Sequence, residues 1–243
     1  MEKLFPVIHE DADVLVINKP AGLVCHPTKT DAWSSLISRV RLHLGDGSAG
    51  PVATPHLINR LDRETSGGIV VARKDDAARE LRRIWETRAV HKEYVAIVHG
   101  HVSADRGFIE VPLGRDEQSR VAIKDCVRPD GAPSQTEFWT ERRFRRAEGD
   151  FTRLRVMPRS GRKHQIRIHL AHRGHPIVGD KLYGGDEGLY LDFVNNRLTE
   201  EQRRRLILPN QALHASVLRF SWRANEWLFQ AEPEGWFREF VNG

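Results

Sequence analysis

The chain reads as an α+β protein built on a large mixed, mainly antiparallel sheet flanked by helices and loops. Three observations lead there. Segments of strand composition outnumber segments of helical spacing. Strands follow one another through short turns, most clearly over 135–157. The regular strand–helix alternation that builds a wholly parallel sheet is missing. Hydrophobic residues make up 40% of 243, enough to bury a core. No linker or shift of composition marks a boundary, so residues 1–243 are expected to form a single domain.

Each element has its own signal. Val14 to Ile17 is a short apolar run, read as a strand, and Asn18-Lys19-Pro20-Ala21-Gly22 ends it in a turn. Trp33, Leu36, Ile37, Val40 and Leu44 recur at helical spacing, which predicts an amphipathic helix over 33–44. A glycine- and proline-rich stretch, 45–55, leads into a loop over Asn59–Gly68, and the run Ile69 to Ala72 predicts a buried strand. Asp75 can cap a helix to about Glu86, with Ala77, Leu81, Ile84 and Trp85 on its apolar face. Glu93 to Val98 alternates as a strand, and 106–126 gives short strand pieces around Pro112-Leu113-Gly114. Gln135 to Phe144 and Phe151 to Met157 read as a hairpin turning at Glu148-Gly149-Asp150, with Phe151, Arg153 and Arg155 on one face. A helix is predicted from Ser160-Gly161 to Gly174, a capping box at Thr199–Gln202 opens a short basic helix to about Leu206, and Gly179 to Gly185 is a loop. Leu213-His214-Ala215 begins a last sheet segment, Val217–Trp222 pairs with Trp227–Ala231, and a helix over Glu234–Val241 closes the chain.

Composition narrows the function classes. Thirty-eight Lys and Arg against 33 Asp and Glu leave a formal charge of +5. The bases cluster at 142–146, 153–173 and 203–205, which suits a polyanion, nucleic acid first; a solvated basic face accounts for them equally well. Two cysteines, Cys25 and Cys126, form no CxxC and no disulfide framework, which points to a reducing cytoplasm. No signal peptide and no apolar run of membrane-spanning length is seen, so no membrane association is expected. His164, His169, His172 and His175 lie close together, but their spacing matches no usual zinc motif. Nucleotide-binding glycine motifs are absent, and no metal or cofactor is expected.

Two stretches carry chemistry. In Asn59-Arg60-Leu61-Asp62-Arg63-Glu64-Thr65-Ser66-Gly67-Gly68, Asp62 stands between two arginines, whose charge favours an ionised carboxylate. A loop aspartate paired with its neighbours is the plain alternative. In Ser160–Leu170, the groups Arg162, Lys163, His164, Gln165 and Arg167 fall in the first turns of the predicted helix. Bases there oppose the helix dipole, and they make sense beside a phosphate or an ionised carboxylate.

Three segments together resemble the RluA-type pseudouridine synthases. They are Arg60–Gly67 (HRLDxxTSG in the family), Lys92–Gly100 (KxYxAxVxG), and Gly161–His169 continuing through Gly174–Gly184 (GRxHQIRxHxxxxGxPIxGDxxYG). Val16–Gly22 and Leu213-His214-Ala215 are similar to the family's opening and late motifs, so the resemblance spans almost the whole chain in order. It implies the family's catalytic fold without an S4 RNA-binding domain in front. It also implies an isomerase that turns uridine in RNA into pseudouridine: the N1–C1′ bond breaks, the uracil turns, and C5 joins C1′. Asp62 would be the essential carboxylate, Tyr94 would stack on the base and assist proton transfer, and Arg167 would pair with Asp62. Arg60 would help displace the base. Arg162, Lys163, His164, Gln165, Arg153 and Arg155 would meet the RNA. A tRNA or rRNA stem-loop is the implied partner, the protein a monomer. One departure stands out: Asn59 occupies the place of the family's histidine and cannot carry its charge. A catalytically silent RNA-binding protein on the same fold, or an unrelated aspartate-dependent hydrolase, are the other readings.

Overall fold

The computed structural model describes residues 5–27, 34–45 and 54–243; Trp33, Pro51 and most of the glycine- and proline-rich stretch lie outside them. The elements follow in chain order. They are β1 (Val7–Glu10), β2 (Val14–Lys19), α1 (Leu36–Leu44), β3 (His56–Leu57), β4 (Ser66–Ala72), α2 (Asp75–Glu86) and β5 (His91–His99). Next come β6 (Arg106–Glu110), β7 (Leu113–Arg115), β8 (Asp125–Val127), β9 (Gln135–Arg146), β10 (Gly149–Pro158) and α3 (Gln165–His172). The chain ends with α4 (Gly188–Val194), α5 (Glu200–Leu206), β11 (Leu213–Trp222), β12 (Asn225–Gln230) and α6 (Gly235–Asn242). Contacts group the chain into two compact units, Met1–Lys92 with His214–Arg238, and Glu93–Leu213 with Glu239–Gly243.

In the first unit, β4 is the central strand. β2 lies antiparallel along one edge of it, from Lys19 opposite Gly67 to Val14 opposite Ala72. The other edge is shared. β11 runs parallel beside Ser66 and Gly67, and β3 runs antiparallel beside Val71 and Ala72. The Asn59 side chain fills the gap between them: its Oδ1 accepts the Val70 N–H at 2.9 Å and its Nδ2 donates to the Gly68 carbonyl at 3.1 Å. A carboxamide can do this because it carries both a donor and an acceptor, as a peptide group does. One parallel pair among antiparallel ones makes the sheet mixed. Val16, Val70, Leu218 and Phe220 on one face pack against Ala77 and Leu81 of α2, and all six are buried. The second unit has an antiparallel sheet in the order β5-β10-β9-β6, with β7 and β8 pairing separately. Phe151 is its deepest aromatic, with Phe240 edge-on at 5.1 Å.

Four local expectations change. β4 begins at Ser66, so Ser66, Gly67 and Gly68 belong to the strand and not to the loop. Lys74 is the N-cap of α2 and makes no side-chain cap bond; Asp75 is already helical and pairs with His56 at 2.7 Å. The β9–β10 turn falls at Ala147-Glu148, one residue earlier than the composition suggests. Finally, α3 starts at Gln165, and residues 160–164 form a turn ahead of it. His164 is its N-cap with φ of 55°, a left-handed backbone that stops the helix from extending backwards. The capping box at Thr199 and Gln202 forms as read from the sequence.

Candidate active site

The Asp62 loop lies in the first unit. Leu61 is buried, Asp62 half-buried, and Arg60 and Arg63 exposed. The Thr65 N–H donates to the Asp62 carbonyl at 3.2 Å and closes a turn. The carbonyls on either side of Asp62 are both held from the end of β2 and the segment that follows it. The Leu61 carbonyl accepts from the Cys25 thiol at 3.3 Å, and the Arg63 carbonyl accepts from Lys19 Nζ at 3.1 Å. Lys19 also donates to the carbonyls of Pro20 (2.8 Å) and Leu23 (2.9 Å), which uses its three N–H bonds. It has no exposed surface. Burial pulls its pKa down to about 8 against the fields of Cys25, Glu234, Asp62 and Glu64, which favour the cation. Burial likewise pushes the Cys25 thiol up, so it stays a neutral donor at pH 7.

Neither Lys19 nor Cys25 stands out in the sequence as a site residue. The signal is faint but physical: a lysine closing an apolar strand has nowhere to go unless backbone carbonyls receive it. Gly67 is explained by the same neighbourhood. Its φ is +118°, and a β-carbon there would collide with the Ala215 carbonyl on β11. The next contact of that strand pair is also polar, since Ser66 Oγ and His214 Nδ1 lie 2.8 Å apart in the interior.

The second unit holds Tyr94, half-buried on β5 opposite Val156 of β10, and the residues around α3. Arg167 is buried. Its Nε and Nη2 donate to Asp180 Oδ2 and Oδ1 at 2.7 and 2.8 Å, a two-pronged pair. The Tyr183 ring covers the guanidinium at 4.9 Å. Tyr183 Oη accepts the Asp125 N–H at 3.2 Å and lies 2.9 Å from His164 Nδ1; burial pushes this phenol up, so it is neutral.

Gln165, expected among the RNA contacts, is buried and bonds protein groups at both ends. Its Oε1 accepts from Ser160 Oγ and the Arg162 N–H, and its Nε2 donates to the Gln135 carbonyl and Thr136 Oγ1. It shapes the turn that presents Arg162 and Lys163, both exposed. Lys163 pairs with Asp125 at 2.9 Å. On the solvent face of β10, Arg153 pairs with Glu141 at 2.9 Å, and Arg155 stacks on Trp139 at 4.4 Å with Glu93 3.8 Å away. The sequence-predicted set therefore falls into two groups, Arg60 and Asp62 in the first unit and the others in the second.

Among the described residues, no group of three or more His, Cys, Asp or Glu converges as metal ligands do. The clustered histidines have separate tasks. His169 meets Ser134 Oγ, His175 meets the His99 carbonyl, and His164 meets Tyr183. No helix among the described residues is long and apolar enough to cross a membrane.

Comparison with known proteins adds independent observations. Residues 13–172 match the family model described as RNA pseudouridylate synthase. An uncharacterized RNA pseudouridine synthase of Aquifex aeolicus is 38% identical over 179 residues, 73% of this chain and 55% of that protein. Ribosomal large subunit pseudouridine synthase D of Haemophilus ducreyi is 35% identical over 219 residues, 90% of this chain and 63% of that one. The chain thus spans between about half and two thirds of the length of such curated relatives. Among solved structures, human RNA pseudouridylate synthase domain containing 1 superposes with a TM-score of 0.74 at 26% identity, over 95% of this chain and 83% of that one.

Proposed function

The chain belongs to the RNA pseudouridylate synthase family, and from that premise we propose that it isomerises uridine to pseudouridine within a structured RNA, with Asp62 as the essential carboxylate. The observation that carries this reading is the built Asp62 loop. Both carbonyls that flank Asp62 are fixed by buried donors, Cys25 and Lys19. A merely structural surface aspartate needs no such frame, whereas a reacting group must be held within a fraction of an ångström.

In this reading the Asp62 carboxylate acts at the ribose or the base while the N1–C1′ bond breaks. Tyr94 stacks on the uracil as it turns and takes part in the proton transfer that follows C5–C1′ bonding. Arg167 is the cation that pairs with Asp62 and keeps it ionised. Arg60 helps to draw the base from its stack, an unstacking that costs about a few kcal/mol. Arg162, Lys163, His164, Arg153 and Arg155 bind phosphates and so position the RNA without reading its sequence. Gln165 acts through the turn it holds.

The substrate proposed first is ribosomal RNA, in a stem-loop where a base can be splayed out. The relatives named for the large ribosomal subunit support it; transfer RNA is the second choice. Such RNA and the two free cysteines suit action in the cytoplasm. The test is to map pseudouridines in total RNA from cells lacking the gene, then add back wild type or Asp62→Asn. Wild type should restore particular sites and Asp62→Asn none. Restoration by both would remove Asp62 from the chemistry, and restoration by neither would favour a silent RNA-binding protein.

A further inference from the structure

We propose that Asp180 is the positioning residue for Arg167, locking its guanidinium to the frame of β5, the strand that carries Tyr94. This rests on the reading that Arg167 serves the catalytic aspartate.

Four hydrogen bonds converge on the Asp180 carboxylate. Oδ2 accepts from Arg167 Nε (2.7 Å); Oδ1 accepts from Arg167 Nη2 (2.8 Å) and from the N–H groups of Leu182 (2.9 Å) and Tyr183 (3.0 Å). The Asp180 side chain has no exposed surface and that of Arg167 only 6%. Burial alone would raise the Asp180 pKa, but the Arg167 charge and these N–H donors outweigh it and hold the carboxyl below its usual range. It is therefore a fixed anion that takes no part in proton transfer at neutral pH.

The backbone under Asp180 is tied down on both sides. The Val178 N–H donates to the Ile97 carbonyl of β5 at 3.0 Å, and the Val178 carbonyl accepts from the Ala212 N–H at 2.8 Å. On the other side, the buried Lys181 donates from Nζ to the Pro209 carbonyl at 2.8 Å. Gly179, between them at φ of +79°, passes so close to Asn210 that a β-carbon would strike its carbonyl oxygen. Any movement of Asp180 must disturb β5 or the 208–212 segment. The two-pronged pair then passes this rigidity to Arg167, whose own helix is short and whose N-cap side chain, His164, turns to Tyr183 and makes no cap bond. A buried ion pair is weak evidence for stability as such. A pair that fixes one cation against the strand bearing Tyr94 has a use that a hydrophobic pair would not have.

The probe is total RNA tritiated at uracil C5, from cells lacking the gene, with enzyme in excess. Tritium release reads the chemical step and filter binding reads RNA affinity. Asp180→Asn removes the charge. Asp180→Glu keeps it and lengthens the arm by one methylene. Asp180→Asn is expected to slow release about a hundredfold, the cost of misplacing a group by roughly 1 Å, with RNA affinity within about twofold of wild type. Asp180→Glu should fall between the two rates. Wild-type release by Asp180→Asn, or a slowdown matched by an equal loss of affinity, would overturn the proposal. If Asp180→Asn does not fold, Asp180→Glu decides alone: a slower rate at unchanged affinity supports the proposal, and a wild-type rate overturns it. Arg167→Lys separates the two levels. Wild-type release by that variant would sink the role given to Arg167 itself, whatever Asp180 does.

Discussion

Gly67 shows how a single position couples fold to site. It sits in the strand immediately after the Asp62 turn, at a φ of +118° and against the backbone of Ala215. Alanine there must adopt a strained backbone and also push β11 away. Gly67→Ala is therefore expected to lose about 3 kcal/mol or more, measured as a lower midpoint in urea unfolding; an unchanged midpoint would show that the two strands can part freely. Lys19 is the second case. Lys19→Met keeps the bulk of the side chain but leaves the carbonyls of Pro20, Leu23 and Arg63 without their donor. About 1–3 kcal/mol of stability should go with each carbonyl left unsatisfied, and tritium release should fall more than RNA affinity does, because the Arg63 carbonyl adjoins Asp62. Equal losses of both would mean that Lys19 merely supports the fold. At this scale the sequence was half legible. Asp62, Tyr94 and Arg167 could be named from motifs. Asp180 and Lys19 stand in quoted motifs and Cys25 outside them, but none of the three tasks could be read there, because the work is done on backbone carbonyls and on one guanidinium whose proximity only the fold creates.

Among the elements, α3 differs most from expectation. The sequence places its bases in the first turns of a helix, whereas residues 160–164 form a turn held by Gln165. A run of residues acceptable to a helix cannot reveal that one glutamine bonds Ser160, Arg162, Gln135 and Thr136 at once. The same helix carries a pH dependence. His169 is fully buried, meets Ser134 at 2.9 Å, and has its pKa lowered by burial to about 4, against 6.5 for the free side chain. The folded state keeps it neutral while the unfolded chain takes up a proton below 6.5. Its contribution is thus complete above pH 6.5 and is lost as the pH falls toward 4. Between pH 7.5 and 5 wild type should lose about 2 kcal/mol from this group. His169→Gln should lack that part of the slope in urea titrations at the two pH values; an identical slope would place the acid sensitivity elsewhere. The strands were easier to read than α3. Alternation shows directly in burial over 152–156 of β10, because a strand's two faces meet different surroundings, whereas the alternation read in 93–98 does not, since Val95 to Val98 of β5 are all buried.

For the molecule as a whole, the mixed sheet and the flanking helices follow from the strand and helix patterning and the family from the ordered motifs, and the family model agrees over 13–172. The sharing of β4's edge between β3, Asn59 and β11 was not legible, because pairing between distant segments leaves no local pattern. It also gives Asn59 a structural task in place of a charged one. The net charge of +5 and the exposed bases predict RNA binding that weakens with salt. If about five phosphates are met, the logarithm of affinity should fall with a slope of roughly 3.5 to 4.5 against the logarithm of salt; a flat response would remove Arg60, Arg162, Lys163, Arg153 and Arg155 as the binding surface. The central claim is chemical, however. Joining C5 to C1′ expels the hydrogen on C5, so RNA tritiated at uracil C5 must release tritium to water when the protein acts. Wild type is predicted to release it and Asp62→Asn to release none while binding the RNA as tightly. Release by Asp62→Asn at the wild-type rate would contradict the account.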